Sequence, residues 1–183
     1  PHTEPMADHG ISMMLTFAHR LRDLWEDQKQ RKWDLPYYDE KMIELNGSTM
    51  GILGVGGIGS AVARRASAFG INVYGVDVDP NAGGPEVKEI WGTDRLNELL
   101  AISDWFVVSV PYTSETDNIL DRNRLIHLKN GGRLIVLSRG GIVNQSAVLD
   151  LLDNGPIAGA GFDVTDIEPL PKTDPLWEHP EVL

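Results

Sequence analysis

Cysteine is absent from the 183 residues, which excludes disulfides and thiolate chemistry. That absence fits a reducing cytoplasm, the expected location. Cations are in the minority: 16 Lys and Arg stand against 27 Asp and Glu, for a formal net charge of -11. Phosphate backbones are bound by clustered Lys and Arg, so no nucleic acid is expected as a principal partner. The acidity reads instead as an aid to solubility. No apolar run approaches the roughly 18 residues needed to cross a bilayer, so no membrane partner is expected. The opening Pro1-His2-Thr3-Glu4-Pro5 lacks the basic-then-apolar order of a signal peptide. Internal repeats and low-complexity tracts are also missing, and no metal site is assigned. What remains, 42% hydrophobic and 23% charged, suffices for one domain with a sizeable core.

Along the chain, Met6, Met13, Met14, Phe17, Leu21 and Leu24 recur at helical spacing among Asp8, Arg20, Arg22 and Asp23. This predicts one helix over residues 4 to 25, whose methionines read as packing. Residues 26 to 47 are polar and rich in Trp and Tyr, and read as a surface connection. The pattern then changes. Strands are predicted at Thr49–Leu53, Asn72–Val76, Trp105–Val110, Arg133–Leu137 and Ile157–Val164, with a weaker one at Lys88–Trp91. Helices are predicted at Ile58–Phe69, Asp94–Ile102, Arg122–Leu128 and Asn144–Asp153. Strands alternating with helices imply a parallel sheet covered on both faces. The expected fold is therefore α/β, a Rossmann-type doubly wound sheet preceded by a long helix. The chain is expected to be a single domain, with residues 1–47 as helix and connection and 48–183 as the core.

The strongest local motif is Gly54-Val55-Gly56-Gly57-Ile58-Gly59, of the form G-x-G-x-x-G. Alone it is weak; here it follows a predicted strand and opens a predicted helix, the context a dinucleotide turn requires. Gly54 allows the tight turn, Gly56 lets backbone approach a pyrophosphate, and Gly59 lets helix and strand pack closely. The helix-start N–H groups around Gly57 and Ile58 then face the anion, helped by the helix dipole. About 20 residues further on, at the end of the second strand, stands Asp77. A carboxylate there accepts hydrogen bonds from the ribose hydroxyls and repels a 2′-phosphate, which favours NAD. Two alternatives stay open: Asp77 caps the turn before Pro80, or Asp79 shares the ribose role. These features point to a dinucleotide-binding domain without naming its reaction. A methyltransferase also places a glycine turn before a helix and an acid after the second strand.

The second half of the chain separates these readings. Together with the glycine segment to Gly70, it carries Leu134-Ile-Val-Leu-Ser-Arg-Gly-Gly-Ile-Val143. It also carries Ala158-Gly-Ala-Gly-Phe-Asp-Val-Thr-Asp-Ile-Glu-Pro-Leu-Pro171, then Pro175-Leu176-Trp177. In these segments the sequence resembles the cofactor domain of the D-isomer-specific 2-hydroxyacid dehydrogenases. The resemblance implies an oxidoreductase that transfers hydride between NAD(H) and a D-2-hydroxy acid or 2-keto acid. It implies Arg139 as the group that binds the substrate's carboxylate or carbonyl oxygen, a role suited to a planar guanidinium. It implies Glu168 as the partner of a catalytic histidine, raising that histidine's pKa so that it can deliver a proton. Asp163 matches the aspartate at the nicotinamide carboxamide. Val110, Pro111 and Thr116 match a loop lining the cofactor, and Leu137, Ser138 and Arg139 the strand end beside the nicotinamide. The plainer alternatives are a surface arginine at Arg139 and an ordinary loop acid at Glu168.

Departures stand beside the likeness. Ser109 takes the place of a histidine common in the family, and Val136-Leu137-Ser138 that of Asn-Thr-Ala. The family's catalytic histidine would follow the Pro-Leu-Trp segment after a further strand. His179 precedes that strand and reads as a surface residue; His2, His9, His19 and His127 read as structural or solvated. The family's substrate domain has no counterpart here. The chain is accordingly expected to be the NAD domain cut from a longer enzyme, weak in binding and all but inactive alone. The resemblance also implies a homodimer formed through the long first helix and nearby loops; the helix's apolar stripe with Trp25, Trp33, Tyr37 and Tyr38 either serves such a surface or packs inward. The alternative within the family is an NADH-sensing corepressor that acts by binding partners.

Overall fold

A computed structural model describes residues 2–183. The first helix, α1 (Thr3–Ala18), buries Ala7, Gly10, Ile11, Met13, Met14, Phe17 and Ala18 on one face. The periodicity predicted a helix to residue 25, but the chain breaks at Arg20, which adopts a left-handed conformation with φ 52°. A second helix, α2 (Leu21–Gln30), then runs in a new direction with no buried residue. Leu21 and Leu24, expected in the same stripe, are 42% and 36% exposed. The cause of the break is tertiary. The Arg20 guanidinium donates to Asp23 at 2.7 Å and to both oxygens of Glu181, 3.0 and 3.2 Å away, near the other end of the chain. The connection predicted over 26–47 also holds a third helix, α3 (Leu35–Lys41), started by Pro36 and capped by Asp34, which accepts from the Tyr37 N–H at 3.2 Å.

From Thr49 the alternation is as the sequence implies. The elements are β1 (Thr49–Leu53), α4 (Gly57–Ala68), β2 (Asn72–Val76), β3 (Val87–Trp91), α5 (Leu96–Ile102), β4 (Trp105–Val108), α6 (Arg122–Leu125), β5 (Gly132–Val136), α7 (Gln145–Asn154) and β6 (Ile157–Phe162). One all-parallel sheet has the order β3-β2-β1-β4-β5-β6. The chain winds outward from β1 to β3, returns to β4 beside β1, and winds the other way. The helix expected over Arg122–Leu128 closes after one turn, because the Lys129 N–H turns back to Leu100.

Side chains alternate between two cores, as strands buried on both faces require. Met50, Ile52, Trp105, Val107 and Ile135 pack with α1 and α4. Leu53, Phe106, Val108, Leu134 and Val136 pack with α5, α6 and α7. The crevice between β1 and β4, where the winding reverses, opens at the carboxyl ends of the strands. Open α/β sheets bind ligands at such a switch point.

Candidate functional site

The turn from β1 into α4 forms the floor of that crevice. Gly54 has φ +88°, a conformation open to glycine, and a Cβ there would press on Val110. The Gly54 N–H donates to the Val76 carbonyl at 2.8 Å, and the Val55 N–H to Asp77 Oδ2 at 2.7 Å. Asp77 Oδ1 accepts from the Asp79 N–H at 3.0 Å. Glycine turn and carboxylate, read separately in the sequence, are therefore one hydrogen-bonded unit. Each carboxylate oxygen keeps a second lone pair for a further donor. Asp77 does hold the following turn, so the two roles weighed for it share one side chain.

Gly56 caps α4 without any side-chain hydrogen bond, and a Cβ built on it would project into open space. The amides of the first turn thus face open space that no side chain of the turn obstructs. Gly59 is different: its Cβ would collide with the Gly54 carbonyl oxygen. From β4 the Ser109 hydroxyl donates to the same Gly54 carbonyl at 2.6 Å. Sequence reasoning noted Ser109 only as a departure, yet it braces the turn. Strand register sets that contact, and no local signal announces it.

Across the crevice, Val110 and Pro111 lead from β4 into a loop tied by Thr116. Its hydroxyl donates to the Pro111 carbonyl at 2.7 Å and accepts from the Thr113 N–H at 2.8 Å. Leu137 follows β5 but is fully buried against α1, so its side chain belongs to the core. Ser138 is 5% exposed, and its hydroxyl has no hydrogen-bond partner among the described residues. Arg139 turns outward, with Nη1 donating to the Ser138 carbonyl at 2.8 Å.

Arg139 and Glu168 line one open cleft of about 360 Å³, with Tyr112, Gly140, Thr165 and Asp166. Glu168 Oε1 accepts from the Thr165 N–H at 3.1 Å, and Asp166 Oδ1 accepts from the Gly141 N–H at 2.7 Å. Asp166 therefore holds the turn after Arg139 against the turn that carries Glu168. Tyr112 donates its hydroxyl to Asp117 at 3.0 Å, and that carboxylate holds its pKa above the usual phenol value. Neither Asp166 nor Tyr112 was singled out in the sequence. Asp163 follows β6, where Oδ1 lies 3.3 Å from His9 Nε2 of α1.

These residues suit an extended ligand with a central anion. The uncapped helix start and the open space at Gly56 fit a pyrophosphate. The Asp77 carboxylate fits a diol beside it, and the unpartnered Ser138 hydroxyl stands at the far strand end. Fold and site together define a dinucleotide-binding α/β domain.

The sequence profile of the D-isomer specific 2-hydroxyacid dehydrogenase, NAD binding domain, matches residues 11–183. The chain is 36% identical over 183 residues to D-3-phosphoglycerate dehydrogenase of Bacillus subtilis (strain 168), covering all of itself and 34% of that relative. It is 34% identical to glyoxylate reductase of Korarchaeum cryptofilum (strain OPF8), covering 99% of itself and 55% of the relative. Its fold superimposes with a TM-score of 0.91 on NAD-dependent formate dehydrogenase from Staphylococcus aureus in complex with NAD, at 26% identity, covering 100% of this chain and 54% of that one. The chain belongs to the D-isomer specific 2-hydroxyacid dehydrogenase family, as its NAD-binding domain. It spans between about a third and a little over half the length of these relatives.

Proposed function

We propose that the chain binds NAD in preference to NADP, and that its whole protein reduces a small 2-keto acid reversibly to a D-2-hydroxy acid. The observation that carries this is the bond from the Val55 N–H to Asp77, which fixes a carboxylate beside an open glycine cradle. In this reading the backbone of Gly54, Gly56, Gly57, Ile58 and Gly59 holds the pyrophosphate. Asp77 takes the adenosine ribose hydroxyls and repels a 2′-phosphate. Val110, Pro111 and Thr116 wall the crevice, and Leu137, Ser138 and Arg139 form the strand end at the nicotinamide, Leu137 through its backbone. Asp163 receives the carboxamide.

When bound, the cofactor supplies or accepts the hydride. Arg139 grips the substrate's carboxylate or carbonyl oxygen and stabilises the negative charge that develops there. Glu168 orients and charges a histidine that protonates that oxygen. None of the five histidines of this chain lines the Arg139 cleft, so the reading assigns the proton donor to a residue outside it. The chain by itself accordingly turns over little or nothing. Two copies are proposed to pair through the arm of α2 and α3, where Trp33 is 90% and Trp25 71% exposed. No helix of the described residues is long and apolar enough to cross a membrane, and the reading places the protein in the cytoplasm.

Calorimetric titration of the chain with NADH and with S-adenosylmethionine tests this reading. Heat of binding from NADH alone supports it; binding of S-adenosylmethionine alone overturns it in favour of a methyltransferase.

A further inference from the structure

Strand β6 reads Ile157-Ala-Gly-Ala-Gly-Phe162, and its glycines alternate. Gly159 and Gly161 share the face covered by α1. A Cβ on Gly159 would lie 2.8 Å from Phe17 Cε1, and one on Gly161 would lie 2.5 Å from Met13 Sδ. The next residue on that face is Asp163, and the next helical position on that side of α1 is His9. Their side chains meet at 3.3 Å, His9 Nε2 to Asp163 Oδ1.

Two periods coincide here. Four helical residues rise about 6 Å, and two strand residues about 6.6 Å. Phe17, Met13 and His9 on the helix therefore descend in step with Gly159, Gly161 and Asp163 on the strand, the two elements running in opposite directions. The first two rungs are steric: absent side chains on β6 let the helix lie close. The third is polar and falls at the carboxyl edge of the sheet. Beside it Gly10 also lacks a side chain, and a Cβ there would lie 2.7 Å from Leu137 Cδ1. The helix is thus seated on β5 and β6 at the very turn that carries His9.

No side-chain or backbone donor of the described residues is hydrogen-bonded to the Asp163 carboxylate; His9 Nε2 is its charge-pair neighbour at 3.3 Å, and the Asp163 N–H is spent on the Val136 carbonyl at 3.0 Å. The side chain of Asp163 is 25% exposed and that of His9 51% exposed. We infer that His9 is a positioning residue for the nicotinamide. Its Nε2 faces Oδ1 of Asp163 at 3.3 Å and holds that carboxylate in one rotamer, leaving Oδ2 for the carboxamide N–H. The glycine track of β6 serves this contact by setting the distance between helix and strand. This rests on the reading that Asp163 receives the carboxamide, and it adds a residue from α1, outside the Rossmann core.

The test compares NADH with ADP-ribose, which shares the adenosine and pyrophosphate but has no nicotinamide. Both are titrated by calorimetry into wild type, His9→Ala, His9→Gln and Gly161→Ala, with thermal melts to verify folding. In His9→Ala, NADH affinity should fall by about 3- to 10-fold, the scale of one hydrogen bond. ADP-ribose affinity should stay within about twofold. His9→Gln keeps an N–H donor and should restore most of the NADH affinity. Gly161→Ala lifts α1 and should show the same selective loss if it folds. Equal loss for both ligands, or no loss for either, overturns the inference while leaving the cofactor site standing. Failure of wild type to bind either ligand overturns both.

Discussion

The division of labour among single residues is sharpest in the glycine turn. Gly56 and Gly59 look equivalent in the motif, but their surroundings differ. A methyl group on Gly56 meets no atom within contact distance, and its φ of −73° suits any residue. On Gly59 it strikes the Gly54 carbonyl. Gly56→Ala should therefore leave the melting temperature unchanged while weakening NADH binding at least about tenfold, because the methyl group occupies the anion's place. Gly59→Ala should melt measurably lower before any ligand is added, since the collision is within the fold. Paired melts and titrations of the two variants check this; a Gly56→Ala protein that binds NADH normally would show that the cradle is not the pyrophosphate site. The turn and Asp77 were legible in the sequence because their function dictates local spacing. Ser109, Asp166 and His9 were not, since each acts on a partner brought near by strand register or helix seating.

Among the elements, α1 and α2 show where periodicity misleads. A left-handed residue usually announces itself as glycine or asparagine. Here it is Arg20, held by Asp23 and Glu181, so an apolar stripe that reads as continuous is cut. The sheet elements were read more closely because buried parallel strands are short, apolar and separated by turn residues. The same junction carries a pH signature. Burial would raise the Asp23 carboxyl, but bonds from the Tyr37 hydroxyl at 2.6 Å and from Arg20 outweigh it and hold the pKa below the usual value. A carboxyl depressed on folding stabilises the protein above its unfolded pKa and loses that contribution as pH falls through the folded one. Urea stability should thus decline below about pH 4, and part of that decline should vanish in Asp23→Asn. An identical acid limb in the variant would remove Asp23 from the account of acid sensitivity.

At the scale of the whole molecule, two surfaces remain after the core is closed. One is the crevice at the carboxyl edge, where residues distant in sequence converge: Asp77 on the glycine turn, and Arg139 with Glu168 in one cleft. The other is the arm of α2 and α3, which exposes Trp25, Trp33 and Leu35 beside an apolar hollow of about 500 Å³. Exposed apolar residues that cluster in this way mark interaction surfaces. Sedimentation should show a dimer for the wild-type chain and a monomer for Trp33→Asp with an unchanged melting temperature. A wild-type monomer at high concentration would remove the arm as a pairing surface. The family was legible from three ordered motifs, whereas the arm was split between the first helix, to residue 25, and an irregular connection from residue 26. Leu21 and Leu24 of α2 share the helical spacing of α1, so the stripe runs on across the break at Arg20 and hides the start of the arm.

The most direct measurement is a calorimetric comparison of NADH with NADPH on wild type and Asp77→Ala. Wild type should prefer NADH by at least about tenfold, because Asp77 accepts from the ribose diol and repels a 2′-phosphate. Asp77→Ala should lose about 10- to 100-fold in NADH affinity, the scale of a charged hydrogen-bond pair, and with it the preference. Equal wild-type affinity for the two cofactors, or an Asp77→Ala protein that binds NADH as wild type does, would contradict the assignment of Asp77 and the NAD reading built on it.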